Sequence, residues 1–179
     1  GWSVDTVSGV SWKVYTGVEP CFIENRTGGS GPYAMVNSGC EGPADTFLVT
    51  PTMDLSDRTS AAIQWANDYI TDQFEPSVVS VDVSDDGGSN WTNVWTRESN
   101  VPSPGDQIVD MSFAAGNANV AARFHYQGFF SRTWQVDDVK GGSLACAVTP
   151  GGLRVGTVSH AYTGAGLTEQ AIVYWEKAG

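Results

Sequence analysis

Several residue types that build common functional sites are scarce in this sequence of 179 residues. It holds 3 cysteines, 2 histidines and 9 lysines and arginines. None of the cysteines forms a Cys-x-x-Cys pair, and His125 and His160 lie far from any candidate partner, so no zinc site is predicted. The sequence also lacks an apolar run of about 18 residues and a basic-then-apolar start. We therefore expect neither membrane insertion nor a signal peptide.

Charged residues are few, and most of them are acidic. They make up 16% of the chain, and 20 aspartates and glutamates give a formal net charge of −11. Nucleic acids and anionic membranes bind proteins through basic patches. The composition therefore argues against nucleic-acid partners and leaves cations, neutral polymers and proteins.

Valine is abundant where leucine is scarce, at 21 residues against 5. Branching at Cβ favours strands over helices, and 21 glycines and 8 prolines supply turns. Short runs of alternating apolar and polar residues predict an all-β fold, a two-sheet antiparallel β-sandwich or a barrel. The predicted strands span residues 12–16, 33–37, 46–50, 61–70, 79–84, 107–113, 120–126 and 134–139.

Alternation along the strand at 120–126 assigns its side chains to two faces. Phe124 and Tyr126 are expected inside, whereas Arg123 and His125 are expected outside. An outward pair of this kind is usually a solvated polar face. The alternative is that Arg123 and His125 belong to a ligand face.

The seven tryptophans either fill the core or form a platform for sugar rings. The first interpretation places four of them in the core: Trp12, Trp65, Trp91 and Trp134. The second relies on exposed aromatic residues on a sheet face: Trp95, Phe129 and Phe130.

The cysteines predict a disulfide and a compartment. Cys21 and Cys40 bracket a Gly-rich loop, and a bridge between them closes roughly 20 residues, which stabilises the fold by about 3 kcal/mol in the loop-entropy model. Few lysines and many short strands suit a secreted protein, in which such a bridge persists. Cys146 is then left over.

The texture of the chain changes after Lys140. Two Gly-rich stretches, residues 141–143 and 149–152, predict a flexible hinge. The strand patterns beyond it are too few to close a core. We therefore predict a β-sandwich domain at residues 1–146, followed at 147–179 by a linker and the truncated start of a second β-sandwich.

The segment from Ser84 to Trp91 fits the Asp-box spacing Ser-x-Asp-x-Gly-x-x-Trp. In such a hairpin, Ser and Asp side chains bind the amides of the turn, and glycine takes positive φ. Strict alternation cannot place Trp91, Val94 and Trp95 all inside, so a β-bulge is expected after the turn.

A calcium loop is the alternative interpretation of this segment. Asp82, Ser84 and Asp86 have the spacing of the first half of such a loop. However, position twelve is Asn93 instead of glutamate and no helix flanks it, so the structural hairpin is favoured.

Searches for catalytic motifs find none. The Gly28–Pro32 stretch has proline where a nucleophile elbow needs its last glycine, and no His-Glu-x-x-His or phosphate-binding loop occurs. Asp137 and Asp138 are adjacent on a strand and are expected on opposite faces, so they are not expected to act as a pair. The sequence thus predicts a non-catalytic domain.

Six short blocks follow one another in a recognisable order. They are residues 33–38, 44–51, 53–56, 81–88 with Trp91, 122–126 and 134–139. In this order they resemble the MAM-like jelly-roll domains appended to secreted bacterial peptidases and adhesins. The resemblance covers residues 1 to about 146 and implies a two-sheet antiparallel jelly-roll β-sandwich.

The same resemblance implies a calcium ion that ties the N-terminal region to strand ends. By position, Asp45 and Asp138 match the blocks that supply its ligands, and Glu24 or Asp5 is the candidate for an early acidic ligand. Residues 150–159 with 163–167 resemble the start of a carboxypeptidase-regulatory-like β-sandwich.

These observations lead to one main functional expectation and two alternatives. The main expectation is a non-catalytic accessory domain of a secreted, subtilisin-like bacterial peptidase. It would bind or position a protein or polysaccharide beside the parent's catalytic domain, or stabilise the parent enzyme. The alternatives are a carbohydrate-binding module and an adhesin module of a cell-surface protein.

Overall fold

The computed structural model describes residues 1–18, 21, 23–29, 31–70, 75–98 and 103–142. Short strands account for most of this part of the chain, as expected from its many β-branched residues and turn signals. The strands are β1 (Ser3–Gly9), β2 (Lys13–Tyr15), β3 (Tyr33–Asn37), β4 (Ala44–Val49), β5 (Ala62–Ile70), β6 (Ser77–Ser84), β7 (Thr92–Glu98), β8 (Ser103–Pro104), β9 (Gln107–Asp110), β10 (Ala121–Gly128) and β11 (Thr133–Gly142). Helix α1 (Ser38–Glu41) and a 3₁₀ turn (Ser112–Ala114) complete the described elements.

The strands form two antiparallel sheets. Sheet I has the order β1-β4-β10-β6-β7, and sheet II has the order β2-β3-β11-β5, with β8 and β9 both paired to the far edge of β5. This arrangement is an all-β, two-sheet antiparallel β-sandwich of jelly-roll type. The predicted fold class is confirmed.

Aromatic side chains fill the space between the sheets. The ring of Trp95 stacks on Trp134 at a centroid distance of 5.9 Å and meets Trp65 edge-on at 5.3 Å. The indole N–H groups of Trp65 and Trp134 both donate to Oδ1 of Asn67, at 2.9 and 2.6 Å. One buried amide thus satisfies two indoles, which lowers the cost of burying them.

A β-bulge decides which tryptophan of the hairpin is buried. Val81 lies opposite Trp95, whereas Asp82 lies opposite Asn93, so Val94 is the extra residue on β7. Because Val81 faces the core, Trp95 also faces the core and is only 8% exposed. The predicted bulge is present. The expectation that Trp91 is the core tryptophan was wrong, since Trp91 lies before the bulge and stays partly exposed.

A loop crosses the outer face of sheet II, and we call its residues 21–29 the covering loop. Its backbone binds the side chain of Gln135: the N–H of Arg26 donates to Oε1 at 2.7 Å, and Nε2 donates to the carbonyl of Glu24 at 2.8 Å. The Cys21–Cys40 disulfide, with a Cα–Cα distance of 6.5 Å, joins the loop to α1. The predicted disulfide is present. We call this side of the sandwich the covered face.

Two further predictions meet different outcomes. The strand predicted at 107–113 ends at Asp110, because the Asp110 carboxylate accepts the Ser112 N–H at 2.9 Å and turns the chain into the 3₁₀ helix. The predicted linker and second module at 147–179, with Cys146, lie outside the described residues. Within the described residues, no helix is long and apolar enough to cross a membrane.

Candidate functional site

The outer face of sheet I, which we call the open face, presents polar and aromatic side chains in rows across the strands. Strand pairing places Phe47 on β4 opposite His125 on β10, and Asp45 opposite Gln127. On the other side of β10, Arg123 lies opposite Asp82 on β6. The antiparallel register therefore gathers side chains from distant parts of the sequence onto one surface.

Four of these side chains form a continuous stack. His125 stacks on Phe47 with ring centroids 3.9 Å apart and planes 17° from parallel. The Arg123 guanidinium carbon lies 4.5 Å from the Phe47 ring centre and 4.5 Å from that of Trp91. His125 and Arg123 therefore occupy opposite faces of the Phe47 ring, and the order of the stack is His125, Phe47, Arg123, Trp91.

Carboxylates hold the two cationic members of the stack. Nε of Arg123 donates to Oδ2 of Asp82 at 2.9 Å, and Nδ2 of Asn93 donates to Oδ1 of the same carboxylate at 2.9 Å. Nε2 of His125 lies 2.8 Å from Oδ1 of Asp45. Stacking and ion pairing together fix the rotamers of Arg123 and His125 before any ligand binds.

The electrostatics of Asp45 reflect this pairing. Partial burial alone raises the pKa of its carboxyl, but hydrogen bonds from His125 and from Gln127 (3.1 Å) outweigh burial and hold the pKa below its ordinary value of 3.8. Asp45 is therefore ionised on this face at neutral pH.

The His125–Asp45 pair resembles half of a catalytic triad, and a nucleophile is the part to look for. Ser80 on β6 lies directly opposite His125. In the described part of the chain, no hydroxyl or thiol forms a hydrogen bond with the His125 ring. A triad needs that contact, so this geometry does not supply an activated nucleophile.

The Asp-box hairpin shows the hydrogen bonds that its sequence predicts. Oδ1 of Asp86 accepts the N–H groups of Ser89 (3.0 Å) and Asn90 (2.9 Å), and Oγ of Ser84 donates to it at 2.8 Å. These bonds lower the pKa of Asp86 to about 2, chiefly through Asn90. Since the Asp86 carboxylate binds its own turn while Asp82 binds Arg123, the two predicted loop ligands have separate roles.

The predicted calcium ligands do not meet in one group. Asp45 lies on β4 in sheet I, Asp138 lies on β11 in sheet II, and the Glu24 backbone binds Gln135. Among the described residues, no three His, Cys, Asp or Glu side chains are placed to hold a metal ion. The set Asp45, Asp138 and Glu24 therefore does not fit one calcium ion here, and calcium binding stays a prediction.

Asp137 and Asp138 lie closer together than strand alternation implies. A bulge in β11 between Asp137 and Lys140 places Asp138 at φ +48°, a left-handed conformation that aspartate tolerates. A Cβ placed on Gly29 would overlap the Asp137 carboxylate and lie 3.2 Å from Oδ2 of Asp138. The expectation that the two side chains point to opposite faces was wrong, because the bulge interrupts the alternation.

The exposed aromatic residues differ in part from those expected. Trp95 belongs to the core, so its assignment to an exposed ligand face was wrong, and the bulge is the physical reason. Phe129 and Phe130 are 54% and 51% exposed, as expected. Sequence reasoning placed Arg123 and His125 on the correct face but missed Phe47, whose role depends on the register between β4 and β10.

Solved structures with the same fold include three adhesin domains. The K1 cleaved adhesin domain of Lys-gingipain from Porphyromonas gingivalis W83 has a TM-score of 0.59 and 18% identity, covering 80% of this chain and 91% of that chain. The K2 domain gives 0.55 and 16%, covering 77% and 87%. The K3 domain from the same strain gives 0.55 and 16%, covering 79% and 91%. No protein-family profile and no curated protein sequence matches this chain.

Proposed function

We propose that this domain is a non-catalytic extracellular binding module of the adhesin type, with the open face as its ligand surface and a neutral polysaccharide as its ligand. The observation that carries the proposal is the ordered stack of His125, Phe47, Arg123 and Trp91. The name of the K1, K2 and K3 structures, cleaved adhesin domains, supports the adhesin class.

The stack suits binding because its side chains are already ordered. Association usually costs the freedom of each immobilised side chain, and here aromatic contacts and ion pairs have removed that freedom in advance. The exposed edges of the rings offer apolar surface beside the carboxylates and amides of Asp45, Asp82 and Gln127. This mixture matches the C–H faces and hydroxyl groups of a sugar.

Charge favours a neutral ligand for this face. The cationic side chains Arg123 and His125 are each paired with a carboxylate, so little positive charge is available to an anionic polymer. The net charge of −11 would also repel a polyanion. The Cys21–Cys40 disulfide supports a secreted, oxidising location.

A glycan array tests this proposal with the protein and two matched variants. Trp91→Ala removes the outer ring of the stack, whereas Phe129→Ala removes an exposed ring at the end of β10. We expect saturable binding to neutral glycans that weakens at least tenfold in Trp91→Ala, about 1.4 kcal/mol, and is unchanged in Phe129→Ala. A blank array, or equal binding by both variants, would contradict the proposal.

Attachment to a secreted peptidase stays a prediction as a second role. The parent's catalytic domain, and any protein ligand that this domain positions for it, would lie in sequence flanking these residues. Reading that sequence is the test: a peptidase domain in the same chain supports the accessory role. A chain made only of repeated binding modules favours the cell-surface adhesin.

A further inference from the structure

A pocket of about 400 Å³ lies where the disulfide joins the covering loop to α1. Its volume is in the range of small-molecule sites, about 300–1,000 Å³. The exposed rim residues are Arg26, Phe130 and Arg132, and the buried polar floor residues are Asn37, Ser131 and Thr133. The pocket is on the covered face and is separate from the stack on the open face.

One polar group on the floor has no partner. Thr133 is 2% exposed, and within the described residues its Oγ1 makes no hydrogen bond. Its neighbours are satisfied, since Ser131 Oγ donates to Ser77 Oγ at 2.9 Å and Asn37 Oδ1 accepts the Cys40 N–H at 3.0 Å. A buried hydroxyl without a partner costs free energy, which a ligand that bonds to it would recover.

The rim carries positive charge on a strongly acidic protein. The Arg26 side chain makes no ion pair or hydrogen bond within the described part of the chain, and its charge acts on Asp68. Asp68 lies one row from the pocket, because Ile70 is opposite Thr133 and Asp68 is opposite Gln135. Burial raises the pKa of Asp68, and Arg26 only partly offsets this effect, so Asp68 neutralises the rim incompletely.

The geometry points to a binding site for a terminal uronic acid residue, a sugar ring that carries one carboxylate. Arginine presents parallel N–H groups that match the two oxygens of a carboxylate. The hydroxyl and amide groups of the floor suit the hydroxyls of a sugar. Phe130, held at φ +50°, places an exposed aromatic ring at the rim, where it can contact the C–H face of that sugar.

The charge balance selects one carboxylate over several. Two guanidinium groups beside a partly ionised Asp68 favour a monoanion, whereas the net charge of −11 disfavours a polyuronate or a multiply charged phosphate ester. The inferred ligand is therefore a single acidic sugar at the end of a chain.

Titration of the ¹⁵N-labelled domain with D-galacturonic acid tests this inference, and its methyl ester is the neutral match. We expect the acid to shift the amide signals of Arg26, Gly39 and Thr133, and to bind at least tenfold more tightly than the ester. One lost charge-assisted hydrogen bond corresponds to about that ratio. Arg26→Gln and Arg132→Gln should each weaken binding about tenfold. Arg58→Gln, at an exposed site paired with Asp57, should leave it unchanged.

Three further arms separate other outcomes. Thr133→Val should weaken binding a few-fold while the melting temperature holds or rises, which distinguishes a ligand contact from damage to the fold. Triglycine and inorganic phosphate probe the carboxylate of a peptide and a free anion. Equal affinity for acid and ester, tighter binding of triglycine or phosphate, or no shifts at about 10 mM acid would each overturn the inference. Phe47→Ala, on the open face, should leave galacturonate binding intact, so failure of the proposed function is seen separately.

Discussion

The open and covered faces carry similar side chains but treat their charges differently. On the open face, Arg123 is paired with Asp82 and His125 with Asp45. On the covered face, Asp68 is 6% exposed with Oδ2 unpartnered among the described residues. A buried acid without a bonding partner is costly, whereas a paired acid at the surface is not.

This difference teaches where each face can bind. The open face is a finished, rigid surface, which suits a neutral ligand that makes many weak contacts. The covered face keeps unsatisfied polar atoms around a pocket, which suits a small ligand that supplies the missing partners. Unsatisfied groups are rare in native proteins, and they often mark functional positions.

Replacing the buried tryptophan gives the largest expected effect and shows whether the open face can be altered independently. Trp95→Ala should lower the free energy of unfolding by about 3–5 kcal/mol, because it opens a cavity against Trp65 and Trp134. Trp91→Ala should cost less than about 1 kcal/mol, since Trp91 is partly exposed. Urea unfolding of both variants checks this contrast, and similar losses would show that the two rings share one environment.

Removing the disulfide separates the two faces next. A Cys21→Ala, Cys40→Ala double variant should lose about 3 kcal/mol, because the bridge closes a loop with a sequence separation of 19 residues. The melting temperature should fall by about 6–12 °C. Galacturonate binding should weaken while glycan binding by the open face persists. Loss of both activities at a temperature where the variant is still folded would contradict the separation.

The covered face should gain stability when its buried charge is removed. Since the folded-state pKa of Asp68 is raised, the wild-type protein loses stability as pH rises from about 4 through that pKa. Asp68→Asn should therefore raise the free energy of unfolding by about 1 kcal/mol at pH 7 and by nothing below pH 4. Denaturant unfolding from pH 3 to 8 checks the sign, and a loss at pH 7 would show that Asp68 has a satisfying partner.

The open face should show the opposite sign with the smallest effect. Asp45 has a lowered folded-state pKa, so its contribution is present above pH 3.8 and is lost as pH falls through the folded value. Asp45→Asn should cost less than about 1 kcal/mol at pH 7, because solvent screens this pair. The cost should vanish at low pH in the same unfolding series, and a cost that is independent of pH would exclude the ion pair as its cause.

Local patterns in the sequence predicted much of the fold. The strand predicted at 33–37 matches β3, and alternation in β10 correctly assigned Phe124 inside and Arg123 outside. By contrast, β1 was missed because its residues are exposed along its whole length and show no apolar alternation.

The candidate sites depended on information that local patterns do not contain. The bulge at Val94 exchanged the roles of Trp91 and Trp95, although its presence was expected. The Phe47 contacts required the register between strands that are about 80 residues apart. The pocket required the path of the covering loop over sheet II, which is set by the Gln135 contacts and the disulfide.

The most direct test of the contrast between the faces is a ¹³C NMR titration of the side-chain carboxyls of Asp45 and Asp68 in one sample. Both residues belong to the same folded domain, so ionic strength and temperature affect them together. The contrast predicts a pKa below 3.8 for Asp45 and a pKa above 3.8 for Asp68. Equal values, or the reverse order, would contradict it.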